Sequence, residues 1–493
     1  MLRASLAKTP SLKCPGLKRP MSAAAAAAVA PAKKEGDISD SFTSLSGAKR
    51  EPLPDRFRQL KIDLVKGNEE RLTQSWNKLL RELKRENEVV RQKGSGVIPQ
   101  VQMKELQNAA QDGALRDEIR KRGVVVVRGV IEEGEARAFK DEVEDYVRKN
   151  PSTRAFPPHD PQVYELYWSP SQLKARSHPN LLRVQHHLMS LLWHTTSPTE
   201  ISLAQPFSYA DRLRIRQPGD ASFALGPHID GGSVERWEPE GYGAGGVYDA
   251  ILQGNWESYD PWDASGRVHA VNNRYNGLGA CSMFRMWQGW MSMSHTKPGE
   301  GTLLINPLVK LSMAYVLLRP FFQAKRSKES SGGEFLSEAN WELMREMDSE
   351  LQGATPGTGQ ELTDELHPHL ELEKTMVHVP EIRPGDFVAW HCDTIHSVDK
   401  VHAGSSDSSV LYIPVCPITA QNAEYMVRQR EAFERGTPGP DFPGGAGESG
   451  HVGRPTGEVL SGAARRAMGM QGLIDEKGGA GRAVEKANAI LGF

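Results

Sequence analysis

Gly226-Pro227-His228-Ile229-Asp230-Gly231-Gly232 decides how the rest of the chain is read. A histidine and a carboxylate stand two positions apart, at what reads as the end of a strand, with a glycine pair following. Residues i and i+2 of a strand share a face, so both side chains can grip one metal ion. A histidine-rich stretch lies far downstream, Trp390-His391-Cys392-Asp393-Thr394-Ile395-His396-Ser397-Val398. Two imidazoles and one carboxylate on one side of a divalent ion leave its other side open, which is the arrangement of non-haem Fe(II) oxygenases. The expected set is His228, Asp230 and His396, with His391 and His402 competing for the third place. Zinc takes the same ligands with a water as the fourth.

Short apolar runs between Gly/Pro turns surround this pair. Gly123–Val130 reads as a buried strand, because a β-branched run is bounded by glycines. Leu213–Arg216 alternates, and Gln217-Pro218-Gly219-Asp220 turns it toward His228. Strands are expected within Cys281–Ser292, Gly299–Pro307 and Thr375–Val379. Arg383-Pro384-Gly385-Asp386 is a tight turn into Phe387–His391, and Ser409–Val415 is the last strand. The expected fold is a mainly β, α+β core: a double-stranded β-helix (jelly-roll, cupin-like) with the metal in its mouth and flanking N- and C-terminal helices.

The organisation follows. Residues 1–52 read as a disordered basic extension, 53–122 as a helical preface, 123–420 as the core and 421–493 as a helix with a Gly/Pro-rich tail. Leu72, Trp76, Leu79, Leu80 and Leu83 recur at helix spacing in the preface. Residues 232–277 form a long insertion carrying Trp237, Trp256, Tyr259, Trp262 and Tyr275, which reads as an ordered lid or substrate wall. Trp237, Trp256, Trp262 and Trp287 are candidates to line the pocket, with plain core packing as the alternative. His186 and His187 read as surface or packing residues. The tail up to Gly453 reads as disordered by composition.

The formal net charge of −2 over 493 residues gives no global field toward nucleic acid or an anionic membrane. No apolar run is long enough to span a bilayer. Four cysteines without a C-x-x-C pair argue against a disulfide scaffold and for a reducing compartment. The first acidic residue is Glu35, after seven lysines and arginines. Such a start fits a mitochondrial transit peptide or a plain extension, so the cytoplasm is the expected location and the mitochondrion the alternative.

The H-x-D stretch through Trp237, Arg285-Met286-Trp287-Gln288-Gly289-Trp290 and the His391–Val398 segment together resemble a family of bacteria and fungi catalogued as domain of unknown function 1479. That family is similar to Fe(II)/2-oxoglutarate-dependent dioxygenases of the phytanoyl-CoA hydroxylase type. The resemblance runs from about Leu53 into the C-terminal Gly/Pro segment. It implies His228, Asp230 and His396 as iron ligands, 2-oxoglutarate as cosubstrate, O₂ and a small molecule as substrates, and an ordered segment over Thr437–Pro443. Relatives anchor the far carboxylate of 2-oxoglutarate with an arginine ten to a dozen residues after the distal histidine. Here Ser405-Ser406-Asp407-Ser408 fill that window. Arg285 is the expected substitute, its planar fork suiting a carboxylate, with Tyr412 adding a hydroxyl and Arg214, Arg216 and Lys310 as further candidates. The missing arginine also leaves a cupin-like metal-binding or non-catalytic binding protein as the alternative.

Overall fold

Val124, Val125, Val126 and Val127 are all fully buried, and they form most of the first strand of the central sheet, β1 (Val124–Arg128). Eight further strands build the core around it: β2 (Leu213–Arg216), β3 (His228–Ile229), β4 (Trp287–Ser292), β5 (Leu303–Ile305), β6 (Val377–His378), β7 (Phe387–His391), β8 (His396–Val398) and β9 (Ser408–Tyr412). The computed structural model describes residues 38–47, 51–109, 111–222, 224–278, 281–442, 444–474 and 481–493.

Two sheets result. The larger runs Gln100–Gln102, β1, β7, β4, β9, β2, Val163–Tyr164, Ala155–Phe156. The smaller runs Gln360–Glu361, β3, β8, β5, β6. From β2 to β9 the chain passes repeatedly from one sheet to the other. The strands β2, β4, β7 and β9 join the larger sheet, while β3, β5, β6 and β8 join the smaller. All pairings among these eight are antiparallel.

Period-two alternation sorts the larger sheet's side chains by face. Val124, Val126, Val388, Trp390, Trp290 and Val410 pack with Ile229, Leu303 and Ile305 of the smaller sheet. Val125, Val127, Phe387, Ala389, Met291 and Leu411 pack instead under two helices, α2 (Glu133–Lys149) and α3 (Pro179–Leu192). The preface helix α1 (Glu69–Lys93) buries the expected Leu72, Trp76, Leu79, Leu80 and Leu83 stripe. Acidic residues in its first turn and basic ones in its last suit the helix dipole. Trp76 stacks on Phe322 at 4.4 Å, beside helix α4 (Val309–Leu318).

Three expectations change. First, the insertion tryptophans are core residues. Trp237 donates to the Leu317 carbonyl (3.0 Å), Trp256 to Ser75 (3.2 Å) and Trp262 to Arg120 (3.1 Å). Trp287 likewise donates to Leu188 (3.0 Å). A buried indole N–H needs such a partner; the first three tie the insertion to α4 and the preface, and the fourth ties β4 to α3. Second, the tail after helix α5 (Ala420–Arg435) is ordered through Phe442, as the resemblance implies and against the composition reading. The Asp441 carboxylate accepts from the Tyr209 hydroxyl (2.9 Å) and the Ser282 amide (2.8 Å), and Phe442 is buried. Third, residues 38–47 lie against the core. Ile38–Ser41 is a 3-10 turn, with Ile38 packed beside Val163 and Phe42 edge-on to His228. The rest of the expected extension, 1–37 and 48–50, is outside the described residues, and so is Cys14. Cys281, Cys392 and Cys416 are free thiols.

Candidate metal centre

The register of two short strands builds the centre. β3 and β8 pair antiparallel with His228 directly opposite His396, so the two imidazoles meet with ring centroids 4.0 Å apart. Asp230 follows β3 and ends in Gly231 and Gly232, both at positive φ. A Cβ at Gly232 would meet the Asn272 carbonyl at 3.0 Å, so this turn takes glycine on both counts. The Asp230 carboxylate lies 3.8 Å from His228 Nε2 and 3.4 Å from His396 Nε2. One ligand atom from each of the three side chains falls within 4.8 Å of the others.

Hydrogen bonds select the tautomer that a metal needs. His228 Nδ1 sits 2.8 Å from the Gly226 carbonyl, and His396 Nδ1 sits 3.0 Å from the Thr394 carbonyl. A carbonyl only accepts, so each Nδ1 carries the proton and each Nε2 presents a lone pair. Metal-bound histidines are fixed in this way. Burial, helped by the neighbouring His396 ring, pushes His228 down to about 4, which keeps it neutral near pH 7. Burial alone would raise the Asp230 carboxyl; His228 and His396 outweigh it and hold it ionised, with Arg285 adding to the effect. Two imidazole nitrogens and one carboxylate form the donor set of a facial triad.

His391 and His402 are not in this cluster. His391 donates from Nε2 to the Pro261 carbonyl (2.9 Å), accepts the Asp393 amide at Nδ1 (3.0 Å) and stacks on Trp193 at 5.0 Å. Its neighbours Cys392 and Asp393 could complete a second metal-like group. Asp393 is taken by two buried arginines, however: Arg267 at 2.5 Å and Arg236 at 3.3 Å. The Tyr248 and Tyr259 hydroxyls also donate to it. This clamp fixes the turn that carries His396. Its acid lies in the sequence beside the histidines, but nothing local marks Arg236 and Arg267 as its partners.

The triad opens on a cavity of about 150 Å³. Trp290, Trp390, Leu225 and Leu303 form apolar walls, and Ile38 and Phe42 cover one side. Both residues expected to bind cosubstrate, Arg285 and Tyr412, line it, together with Arg212 and Arg214. Arg216 is taken by Asp220 at 2.5 Å. Lys310 is away from the cavity and bonds the Glu257 carbonyl.

Depth separates Arg285 and Arg214, the two arginines on this wall without an acid partner. β7 runs up to His391 and then to the metal turn, and His391 pairs with Trp287 at the start of β4. Arg285, two residues before that start, therefore stands at the mouth. Arg214 pairs with Val410, two residues below Tyr412 on β9. It donates from Nη2 to the Gly301 carbonyl (3.1 Å), two residues below Leu303 of β5. Arg214 thus lies on the inner side of the triad. Its Nε is buried without a partner, and burial lowers its pKa.

A family profile described as Gig2-like matches residues 51–470. YbiU of Escherichia coli (strain K12) is 31% identical over 390 residues, covering 76% of this chain and 86% of that protein. The crystal structure of GlcNAc Inducible Gene 2, GIG2 (DUF1479), from Candida albicans superposes with TM-score 0.79 at 29% identity, over 90% of this chain and 96% of the other. The crystal structure of the Escherichia coli protein JW0805 superposes with TM-score 0.71 at 30% identity, over 85% and 99%.

Proposed function

The chain belongs to the Gig2-like family, and from its triad we propose that it is a non-haem Fe(II)- and 2-oxoglutarate-dependent dioxygenase that hydroxylates a small molecule. The observation that carries this is the pair of Nδ1–carbonyl bonds that turn both Nε2 lone pairs toward Asp230. The passage of β2–β9 between two sheets, with antiparallel pairing throughout these eight strands, supports a double-stranded β-helix as the scaffold.

Bound Fe(II), with 2-oxoglutarate and O₂, supplies the oxidising power, so that R–H, O₂ and 2-oxoglutarate become R–OH, succinate and CO₂. The chain's own residues do the rest. His228, Asp230 and His396 hold the metal on one side. Arg214 takes the far carboxylate of 2-oxoglutarate, with Tyr412 beside it. Its depth favours it over Arg285 for this role. Across β2 and β9 it neighbours the strand where relatives carry their arginine. Trp290 and Trp390 keep bulk water from the reacting groups.

The test is conversion of 2-oxoglutarate to succinate with Fe(II) added. His228→Ala should lower the rate by more than about a hundredfold, beyond the loss expected for removing a supporting residue. Turnover that ignores iron and survives in the variant would sink the proposal.

A further inference from the structure

We infer that Arg285 is the docking point for a carboxylate on the primary substrate, so that the enzyme acts on small organic acids. This rests on the dioxygenase reading and concerns the same cavity. Among the described residues Arg285 makes no hydrogen bond and no ion pair, although it lines both the main cavity and a narrower one beyond Asp230. An arginine held at a mouth with an unused fork is a recognition group for a planar anion.

The other charges on the wall do not answer it. Asp211 lies against Arg212 at 3.3 Å. Glu235 accepts the Ser233 amide at 2.9 Å and turns into its own loop. Asp230 and Asp211 both reach Arg285 electrostatically, but the first belongs to the proposed metal set and the second lies against Arg212. A divalent metal, Asp230, Arg214 and a doubly charged cosubstrate cancel in charge, as do Asp211 and Arg212, so that Arg285 and Glu235 are the charges left on the lining. Glu235 is already engaged by the Ser233 amide, whereas the Arg285 fork is not engaged.

The remaining hydrogen-bond capacity has the same sense. Gln288 Nε2 and Trp390 Nε1 are buried donors without acceptors on this wall. The Asn273 and Gln288 amides can each present a donor or an acceptor when turned over, while Trp390 Nε1 is a donor only. A ligand that brings an acceptor satisfies the Trp390 donor, and an anionic acceptor also answers the free Arg285 fork.

The experiment uses the full chain loaded with Fe(II) and 2-oxoglutarate without O₂, read by the visible metal-to-ligand charge-transfer band. It is titrated with small aliphatic and aromatic monocarboxylic acids, each paired with its primary amide. In the unmodified protein at least one acid should perturb the band at concentrations about tenfold or more below its amide. That preference should vanish in Arg285→Gln and return in part in Arg285→Lys, which keeps the charge without the fork. Arg214→Gln, by contrast, should raise the 2-oxoglutarate concentration needed to form the band by about tenfold or more. Equal response to acids and amides would overturn the inference while leaving the dioxygenase reading intact. So would loss of the band itself in both Arg285→Gln and Arg285→Lys, which would make Arg285 the cosubstrate anchor. Failure of the unmodified protein to form any band would overturn both.

Discussion

At the scale of residues, the direction of one N–H bond separates a proposed metal ligand from a packing residue. His228 and His396 give their Nδ1 protons to carbonyls two positions back and keep Nε2 free. His391 has the opposite pattern, since its Nε2 already donates to Pro261. Burial, with the nearby Arg267 charge, pushes His391 down to about 4, so it stays a neutral core ring between Trp193 and Trp262. His396→Ala should therefore lose bound iron with little change in melting temperature. His391→Ala should keep its iron and lose about 3 kcal/mol of stability, as expected for emptying a buried ring site. Metal analysis and denaturant unfolding of the two variants check this, and iron retained in His396→Ala but lost in His391→Ala would reverse the assignment.

At the scale of elements, buried carboxylates fasten the loops that frame the centre. Asp393 holds the turn before β8, and Asp441 holds the tail against Tyr209 and Ser282. Glu448 is a third. It accepts the Tyr167 amide (2.7 Å), the Trp168 amide (2.8 Å) and the Tyr146 hydroxyl (3.2 Å). Burial outweighs these bonds and pushes the carboxyl up to about 7. The folded state thus binds this proton more tightly than the unfolded chain does. Its contribution to stability is full below the ordinary carboxyl value, near 4.5. It shrinks as pH rises from there to about 7, then stays level. Over that window the loss is at most on the order of 3 kcal/mol. Glu448→Gln keeps an acceptor for the two amides and has no proton to lose. Its melting temperature should stay flat between about pH 5 and 7.5 while that of the parent falls. Parallel curves for the two proteins would show that Glu448 is not the titrating group.

Across the whole molecule, features with a short period could be read from the chain, and features that depend on distant pairing could not. The β-branched run at Val124, the Pro-Gly-Asp turns and the H-x-D pair carry their own local signals, and β1, β7 and β3 lie where those signals point. The helical stripe from Leu72 to Leu83 is likewise local. Arg214 owes its place to β2 pairing with β9 across nearly the full core, which no spacing reveals. The insertion tryptophans look the same in sequence whether they face a cavity or a core; their partners at Leu317, Ser75 and Arg120 decide it. Phe42 has no local signal at all, yet its ring meets His228 at 4.8 Å. Asp441 shows why composition misled in the tail: one carboxylate with three donors orders a Gly/Pro-rich segment.

These scales meet at the triad, and one spectrum tests it most directly. The purified chain is mixed with Fe(II) and 2-oxoglutarate in the absence of O₂, beside His396→Ala. The expected result is a visible charge-transfer band that saturates at about one 2-oxoglutarate per chain and is missing from the variant. An iron-loaded parent protein that shows no band, or a variant that shows the same one, would contradict the assignment of His228, Asp230 and His396 as an Fe(II)/2-oxoglutarate centre.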